Sequence, residues 1–391
     1  MIDEKTTQEI IDAYMGWDRL EKPNKIDIID FCLIPRTNGE EFKSREQVIE
    51  RLEDLHDRVK PTNFEEEFIK AKLYASITFL NALIGEVLPF SEYVKRVTGV
   101  TPQLIPESVI QKHKEIMYDH LKKMGYNPNR EPVRKFIEKL TVKKEEAMRQ
   151  ANYCQEHLIP ILLKSLGFED LEIPYKLKLV EVDDYWRGWT STEPDGSFLM
   201  RFNFFKDIEW YQGDMEVLPL HEYGHFIQAA NLTRGIKSGK INPFVGVTTV
   251  QDPHTFGGEG TANAILDLPE VEEALSPHGL LNRDRSIVGY YLRNNAHIRI
   301  NEGGNKDELL KYILDNNPFY PKDYIVKSLD RWKDNPSRRA YEYIYGISRF
   351  KHRQLLGRLP LEKQKEYLRC AMSTYMTPNR LMEFANQLFS G

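Results

Sequence analysis

Two histidines four residues apart, His221 and His225, enclose Glu222 in an apolar stretch of the chain. On an α-helix this spacing places both imidazoles on one face, one turn apart. Two imidazoles in that position can bind one zinc ion, and a glutamate between them can take a proton from a zinc-bound water. The pattern therefore predicts a hydrolytic zinc site with His221 and His225 as ligands and Glu222 as the general base.

Such a site needs a third protein ligand. The extended motif HExxHxxGxxH is excluded, because Gln228 and Asn231 occupy its last two positions. The candidates further along the chain are Asp252, His254, Glu259 and Glu270. Glu259 is favoured because glycines flank it, which lets its backbone approach another helix, and because it begins an apolar, helix-compatible stretch.

A simpler interpretation of Glu259 stays open, since acidic residues are common in the first turn of a helix and glycines are common in loops. If Glu259 is a ligand, Asn263 follows it by one turn on the same face. Asn263 is then expected to orient a liganding histidine through a hydrogen bond.

The composition is that of an ordinary globular protein. The 391 residues are 41% hydrophobic and 29% charged, with a net charge of −5, which argues against a nucleic-acid-binding surface. No apolar run has transmembrane length, so no membrane partner is expected. Three scattered cysteines and a charged N-terminus without an apolar signal segment predict a cytoplasmic protein.

The spacing of apolar residues predicts a mainly α fold with a small β-sheet beside the motif helix. Residues 1–170 are predicted to form an N-terminal helical region, and residues 171–391 a zinc-binding catalytic region, the two interleaved as one unit. Period-two alternation predicts strands over Tyr175–Leu179 and Phe198–Phe205. Because proline is tolerated in the first turn, Pro219 predicts that the motif helix begins only near Glu216.

From about residue 185 to 355 the chain resembles the gluzincins, zinc metallopeptidases with an HExxH motif and a distant glutamate. It is most similar to their mostly helical branch, which includes carboxypeptidase Taq, the oligopeptidases and a poorly characterised bacterial family. The matching segments are Pro194-Asp195-Gly196, Asn203, His221 to Gln228, Glu259-Gly260, and Ala340 to Gly346. Asn301 to Asn305 replaces the family's Asp-x-Gly-x-His segment, which leaves the subfamily and the substrate open.

The resemblance implies several further roles. Glu259 would complete the zinc ligands, and Tyr343 or its neighbour Tyr345 would donate a hydrogen bond to the oxyanion. For each tyrosine, core packing is the alternative. The strand Phe198–Phe205 would be an edge strand that pairs with the substrate backbone, with Asn203 near the metal.

Two arginines just before the tyrosines, Arg338 and Arg339, are candidates for binding a free carboxylate, which would make the enzyme a carboxypeptidase. Paired arginines at a helix start are usually only solvated. His297 and His352 are weaker candidates for substrate contact, because lone histidines are mostly structural.

The sequence thus predicts a zinc-dependent metallopeptidase that hydrolyses short peptides in a helical cleft. Two alternatives stay open: a zinc hydrolase of a non-peptide amide, and a catalytically silent metal-binding protein. Cobalt or manganese could replace zinc, although two imidazoles and a carboxylate suit zinc best.

Overall fold

The computed structural model describes residues 2–24, 26, 28–184, 186–193, 195–206 and 208–390. It is mainly helical with two small sheets, which confirms the predicted fold class. The helices are α1 (Glu4–Glu21), α2 (Arg45–Arg58), α3 (Phe64–Leu83), α4 (Phe90–Thr98), α5 (Glu107–Lys123), α6 (Val133–Glu138), α7 (Lys144–Tyr153), α8 (Ile159–Leu166), α9 (Asp214–Lys237), α10 (His254–Ala264), α11 (Pro269–Ala274), α12 (Pro277–Asn301), α13 (Lys306–Asn316), α14 (Lys322–Asp334), α15 (Pro336–Leu356), α16 (Leu361–Ala371) and α17 (Pro378–Ser390). The strands are β1 (Ile29–Cys32), β2 (Tyr175–Val180), β3 (Gly188–Thr192), β4 (Phe198–Asn203) and β5 (Val247–Thr249). Within the described part of the chain, no helix combines the length and the apolar character needed to span a membrane.

Two apolar clusters form most of the core. The larger one draws on residues between 90 and 385 and surrounds α9. The smaller one joins α1, α2 and α3 to the C-terminal part of α9 and the segment that follows it, for example through Trp17, Phe68, Leu232 and Phe244. Residues before and after position 170 therefore contribute to both clusters, and the N-terminal helices pack directly on the motif helix.

The three-stranded sheet has the order β2-β4-β3, with β4 parallel to β2 and antiparallel to β3. The prediction that Phe198–Phe205 is an edge strand is wrong, because β3 pairs with β4 and takes the edge. A tight turn joins the two strands, with Gly196 at a φ of +80° and its N–H donated to the Glu193 carbonyl at 2.9 Å. Pro194, part of the predicted turn, lies outside the described residues.

The motif helix α9 begins at Asp214, two residues before the predicted start near Glu216. Gly213 precedes it with a φ of +83°, and a Cβ there would lie 2.3 Å from the His278 carbonyl carbon. Pro219 consequently lies in the second turn of α9, not in the first. Pro219 has no N–H to donate to the preceding turn, so α9 lacks one backbone hydrogen bond there. Most residues of α9 are buried, and their packing stabilises the helix despite this missing bond.

Candidate metal centre

The residues predicted to bind metal come together where α9 packs on α10. The His221 and His225 rings lie 5.0 Å apart between centroids on one face of α9. Glu259 of α10 places Oε2 3.3 Å from His221 Nε2 and Oε1 3.9 Å from His225 Nε2. One ligand atom from each of the three residues lies within 4.8 Å of the others.

Glycines allow the helices to approach closely enough for this. A Cβ on Gly224 of α9 would lie 3.1 Å from the Ala262 Cα of α10. A Cβ on Gly260 would lie 2.0 Å from Cε1 of His352, so the α15 side chain occupies the space that any larger residue at position 260 would need. The glycines around Glu259 therefore serve close packing, as the sequence predicted.

The donor set fits a zinc ion. Burial lowers the pKa of His225 to about 4, which keeps this imidazole in the neutral form that binds metal. Burial would raise the pKa of Glu259, but the neighbouring histidines outweigh it and lower that pKa, so the carboxylate is anionic. Glu259 Oε2 is buried and accepts no hydrogen bond from the described residues, which leaves a lone pair for a cation.

Glu222 lies beside the ligands and is positioned by strand β3. The Thr190 hydroxyl donates a hydrogen bond to Glu222 Oε2 at 3.0 Å. A Cβ on Gly188 would lie 2.8 Å from Glu222 Oε1, so this glycine leaves space for the carboxylate. Burial raises the pKa of Glu222 to about 7, close to the value that suits a general base near neutral pH.

The tyrosine that contacts the predicted metal ligands is Tyr341. Its hydroxyl donates to Glu259 Oε1 at 3.0 Å, and the Tyr345 hydroxyl donates to Tyr341 at 2.9 Å. Tyr343 points elsewhere: it is buried, accepts a hydrogen bond from the Gln103 N–H at 2.9 Å and donates to the Thr101 carbonyl at 3.2 Å. The prediction that Tyr343 faces the metal is therefore wrong, and Tyr345 reaches the ligands only through Tyr341.

The spacing of polar residues along α15 indicates that Tyr341 faces the cavity. Tyr341, Tyr345 and Arg349 recur every four residues and line the same cavity. Ala340, Tyr343, Ile344 and Ile347 are all buried in apolar packing. The family resemblance assigned the oxyanion-binding role to the tyrosine at position 343. The four-residue spacing of polar side chains on this helix would have indicated position 341 instead.

Two predicted asparagine roles are corrected. Asn263 lines the cavity, but its Nδ2 donates to the backbone carbonyl of Glu259 at 2.8 Å and not to a histidine, so it stabilises the turn of α10 that carries the ligand. Asn203 is fully buried and bonds both the N–H and the carbonyl of Val182, at 3.0 and 2.8 Å. It joins the ends of β2 and β4 and does not line the metal cavity.

The predicted carboxylate-binding arginines lie outside the cavity lining. Arg339 donates to Asn301 Oδ1 at 3.1 Å and to the Leu88 carbonyl at 3.0 Å, so it joins α15 to the end of α12 and to the segment before α4. Arg338 lies 3.5 Å from Glu342, one turn further along the same helix. The prediction that either arginine faces the metal cavity is wrong.

His297 and His352 are structural, as lone histidines usually are. Both are 1% exposed. His297 stacks on Trp332 at 5.3 Å, and His352 fills the space beside Gly260. Burial lowers the pKa of His297 to about 3 and that of His352 to about 4, so both are neutral at physiological pH.

Asp252, a rejected candidate ligand, holds the start of α10. Its Oδ2 forms an ion pair with Lys72 of α3 at 3.0 Å, and both side chains are 0% exposed. Its Oδ1 accepts the backbone N–H of His254 at 3.0 Å, at the first residue of the helix that carries Glu259. His254 itself lines the metal cavity without joining the ligand cluster.

The metal cluster opens into a cavity of about 190 Å³. Its walls come from β1, β3, α9, α10, α12 and α15, and they include Asp30, Arg187, Arg293 and Arg349. A second cavity of about 120 Å³ adjoins the first and shares Arg187, Ser286, Tyr290, Arg293 and Tyr324 with it. Taken together, the two cavities lie at the lower end of the volume range of small-ligand pockets, which is far too small for a folded protein.

No protein-family profile matches the chain, and no curated protein sequence is similar to it. The fold is similar to the crystal structure of the "putative lipoprotein" from Colwellia psychrerythraea, with a TM-score of 0.60 over 89% of this chain and 68% of that one. The two sequences are 14% identical, so the likeness concerns the fold alone.

Replacing Tyr341 by phenylalanine is expected to lower zinc affinity by about 10- to 100-fold, because the hydroxyl donates a hydrogen bond to the predicted liganding carboxylate of Glu259. Tyr343→Phe is the matched control. It removes a hydroxyl from the same helix and leaves the cavity unchanged. Zinc affinity measured by chelator competition distinguishes the two, and equal affinities in both variants would contradict the role of Tyr341.

Proposed function

We propose that this protein is a zinc-dependent metallopeptidase of the gluzincin type that hydrolyses short peptides. The observation that carries the proposal is the convergence of His221, His225 and Glu259 in one buried cavity, with Glu222 beside them. Three protein ligands of this chemistry leave a coordination position open, as catalytic zinc sites do and closed structural sites do not.

When bound, zinc would supply a Lewis acid that polarises a carbonyl and lowers the pKa of a water molecule to about 7. Glu222 would accept a proton from that water and later donate it to the leaving amine. Thr190 holds the Glu222 carboxylate by its Oε2 atom, which leaves Oε1 to accept the proton. Tyr341 would keep Glu259 oriented through the hydrogen bond from its hydroxyl.

Strand β3 supports a peptide substrate in particular. Among the described strands it forms a sheet pairing with β4 alone, and Gly188, Trp189 and Thr190 line the metal cavity. An extended peptide could add to this edge through backbone hydrogen bonds, which requires no particular side chains. The edge-strand role predicted for Phe198–Phe205 thus passes to its neighbour in the hairpin.

The proposal is tested by profiling a mixed library of short peptides by mass spectrometry. Zinc-loaded protein is compared with the same protein after the metal has been removed. We expect cleavage only with zinc, and the products then show whether one end is trimmed or internal bonds are cut. No cleavage by a protein shown to hold zinc would contradict the peptidase, and parallel assays of non-peptide amides would then separate another hydrolase from a silent protein.

A further inference from the structure

One buried guanidinium in the wall of the metal cavity, that of Arg349, has no ion-pair partner among the described residues. Arg349 lines the cavity and is 1% exposed. Among the described residues no carboxylate forms an ion pair with it, and its Nε and Nη2 atoms donate no hydrogen bond. Asp267 is near enough to interact electrostatically with Arg349, but its carboxylate forms an ion pair with Arg353 at 2.5 Å. A buried charge left in this state is costly unless an anion binds it.

A second arginine of the cavity wall, Arg293, comes from α12. Arg293 Nη1 is 3.8 Å from Glu342, beyond hydrogen-bond distance, and the same carboxylate lies 3.5 Å from Arg338. Its buried Nε donates to no described residue. The Arg293 guanidinium lies 4.8 Å and that of Arg349 5.8 Å from the centre of the Tyr290 ring, so the two cations flank one aromatic side chain.

The adjoining cavity has the same imbalance. Arg187 and Arg285 share a single carboxylate, that of Asp214. Glu209, which lines the adjoining cavity, is paired with Arg134 at 2.6 Å. Of the four arginines that line the two cavities, Arg349 therefore has no carboxylate at ion-pair distance among the described residues, and Arg293 has only Glu342.

We propose that Arg293 and Arg349 bind a carboxylate of the substrate. The inference rests on the proposed function, because it takes the metal cavity to be the peptide site. Arginine suits this role, since its planar guanidinium binds a carboxylate through two parallel hydrogen bonds. Arg349 follows Tyr341 and Tyr345 on the same stripe of α15, so a carboxylate held there lies in the cavity that contains the reacting bond. The carboxylate belongs either to the C-terminus of the peptide or to an acidic side chain.

Calorimetric titration of the zinc-loaded Glu222→Gln protein measures this binding without turnover. Four N-acetylated tetrapeptides form two matched pairs. The first pair is tetra-alanine with a free C-terminus and its C-terminal amide. The second pair consists of C-terminal amides that carry one glutamate or one glutamine.

We expect one carboxylate peptide to bind about 10- to 100-fold tighter than its neutral partner. The pair that shows the difference identifies the source of the carboxylate. Equal affinities within both pairs, or no binding by any peptide, would overturn the proposal.

Variants test the assignment to these residues. Arg349→Gln and Arg293→Gln should each remove the preference for the carboxylate peptide, whereas Arg339→Gln, on the same helix outside the cavity, should keep it. A preference that survives in both cavity variants would overturn the assignment. Thermal unfolding shows whether Arg349→Gln folds. If it does not fold, the proposal is tested by the two peptide pairs on the otherwise unchanged protein and by the loss of the carboxylate preference in Arg293→Gln. Cleavage without any carboxylate preference would overturn this inference alone, whereas preferential binding without cleavage would overturn the proposed function alone.

Discussion

Replacing Glu222 by glutamine is expected to lower kcat by about 10²- to 10⁴-fold, the usual contribution of a general acid–base group. The amide cannot accept the proton from the attacking water. It still occupies the same space beside Gly188 and Thr190, so the cavity keeps its shape. The zinc ligands are untouched, and the variant should bind the metal as the wild type does.

The measurement is steady-state hydrolysis of the best peptide found by library profiling, with zinc content determined on the same samples. Glu270→Gln is the matched control. That glutamate bonds Ser165 and Lys365 and does not line the metal cavity. Unchanged turnover in Glu222→Gln, at full zinc content, would remove Glu222 from the mechanism. A zinc-loaded wild type with no activity on any substrate would instead favour the silent metal-binding protein.

The second large effect is expected for Glu259→Gln. Changes to residues that only contact a metal ligand typically weaken metal binding by about 10- to 100-fold. Loss of a ligand itself should weaken zinc binding by more than that. The substitution replaces an anionic ligand with a neutral amide and leaves Tyr341 without its charged acceptor. Because binding of a metal to the folded state alone stabilises that state, the thermal stabilisation by added zinc should shrink with the affinity.

Chelator competition and thermal unfolding with and without zinc provide the two measurements. Glu270→Gln again controls for the loss of a carboxylate elsewhere. Zinc affinity equal to that of the wild type would show that Glu259 is not a ligand. The third donor would then have to come from another residue of the cavity, such as His254, which lines it close to the cluster.

Local patterns in the sequence were sufficient for the centre of the site. The four-residue spacing of His221 and His225 fixes their common face as soon as α9 forms. Glu259 could be selected because the glycines around it permit close helix packing, and the structure uses Gly260 for that purpose. Both inferences depend on interactions within one helix or on residue size, and such information is present in the sequence itself.

The outer residues of the site depend on how helices are rotated against each other, which no local pattern encodes. Tyr341 and Tyr343 are two positions apart, and only the packing of α15 decides which of them meets Glu259. Arg349 and Arg293 come from different helices and meet beside Tyr290 only in the folded chain. Strand β3 is short and rich in polar residues, so its position at the sheet edge followed from pairing with β4 and not from an alternating pattern.

The ion pair between Lys72 and Asp252 limits how far this protein can be shortened. The lysine belongs to the N-terminal helices, yet its partner secures the first turn of the helix that presents Glu259. A fragment that lacks the first 170 residues would contain a buried aspartate without its cation, and losing one partner of such a pair typically costs about 3–5 kcal/mol. It would also expose the part of α9 that packs on α1 to α3. A fragment consisting only of the two helices that carry the predicted zinc ligands is therefore not a realistic engineering target, because the N-terminal helices complete the packing and the charge balance around them.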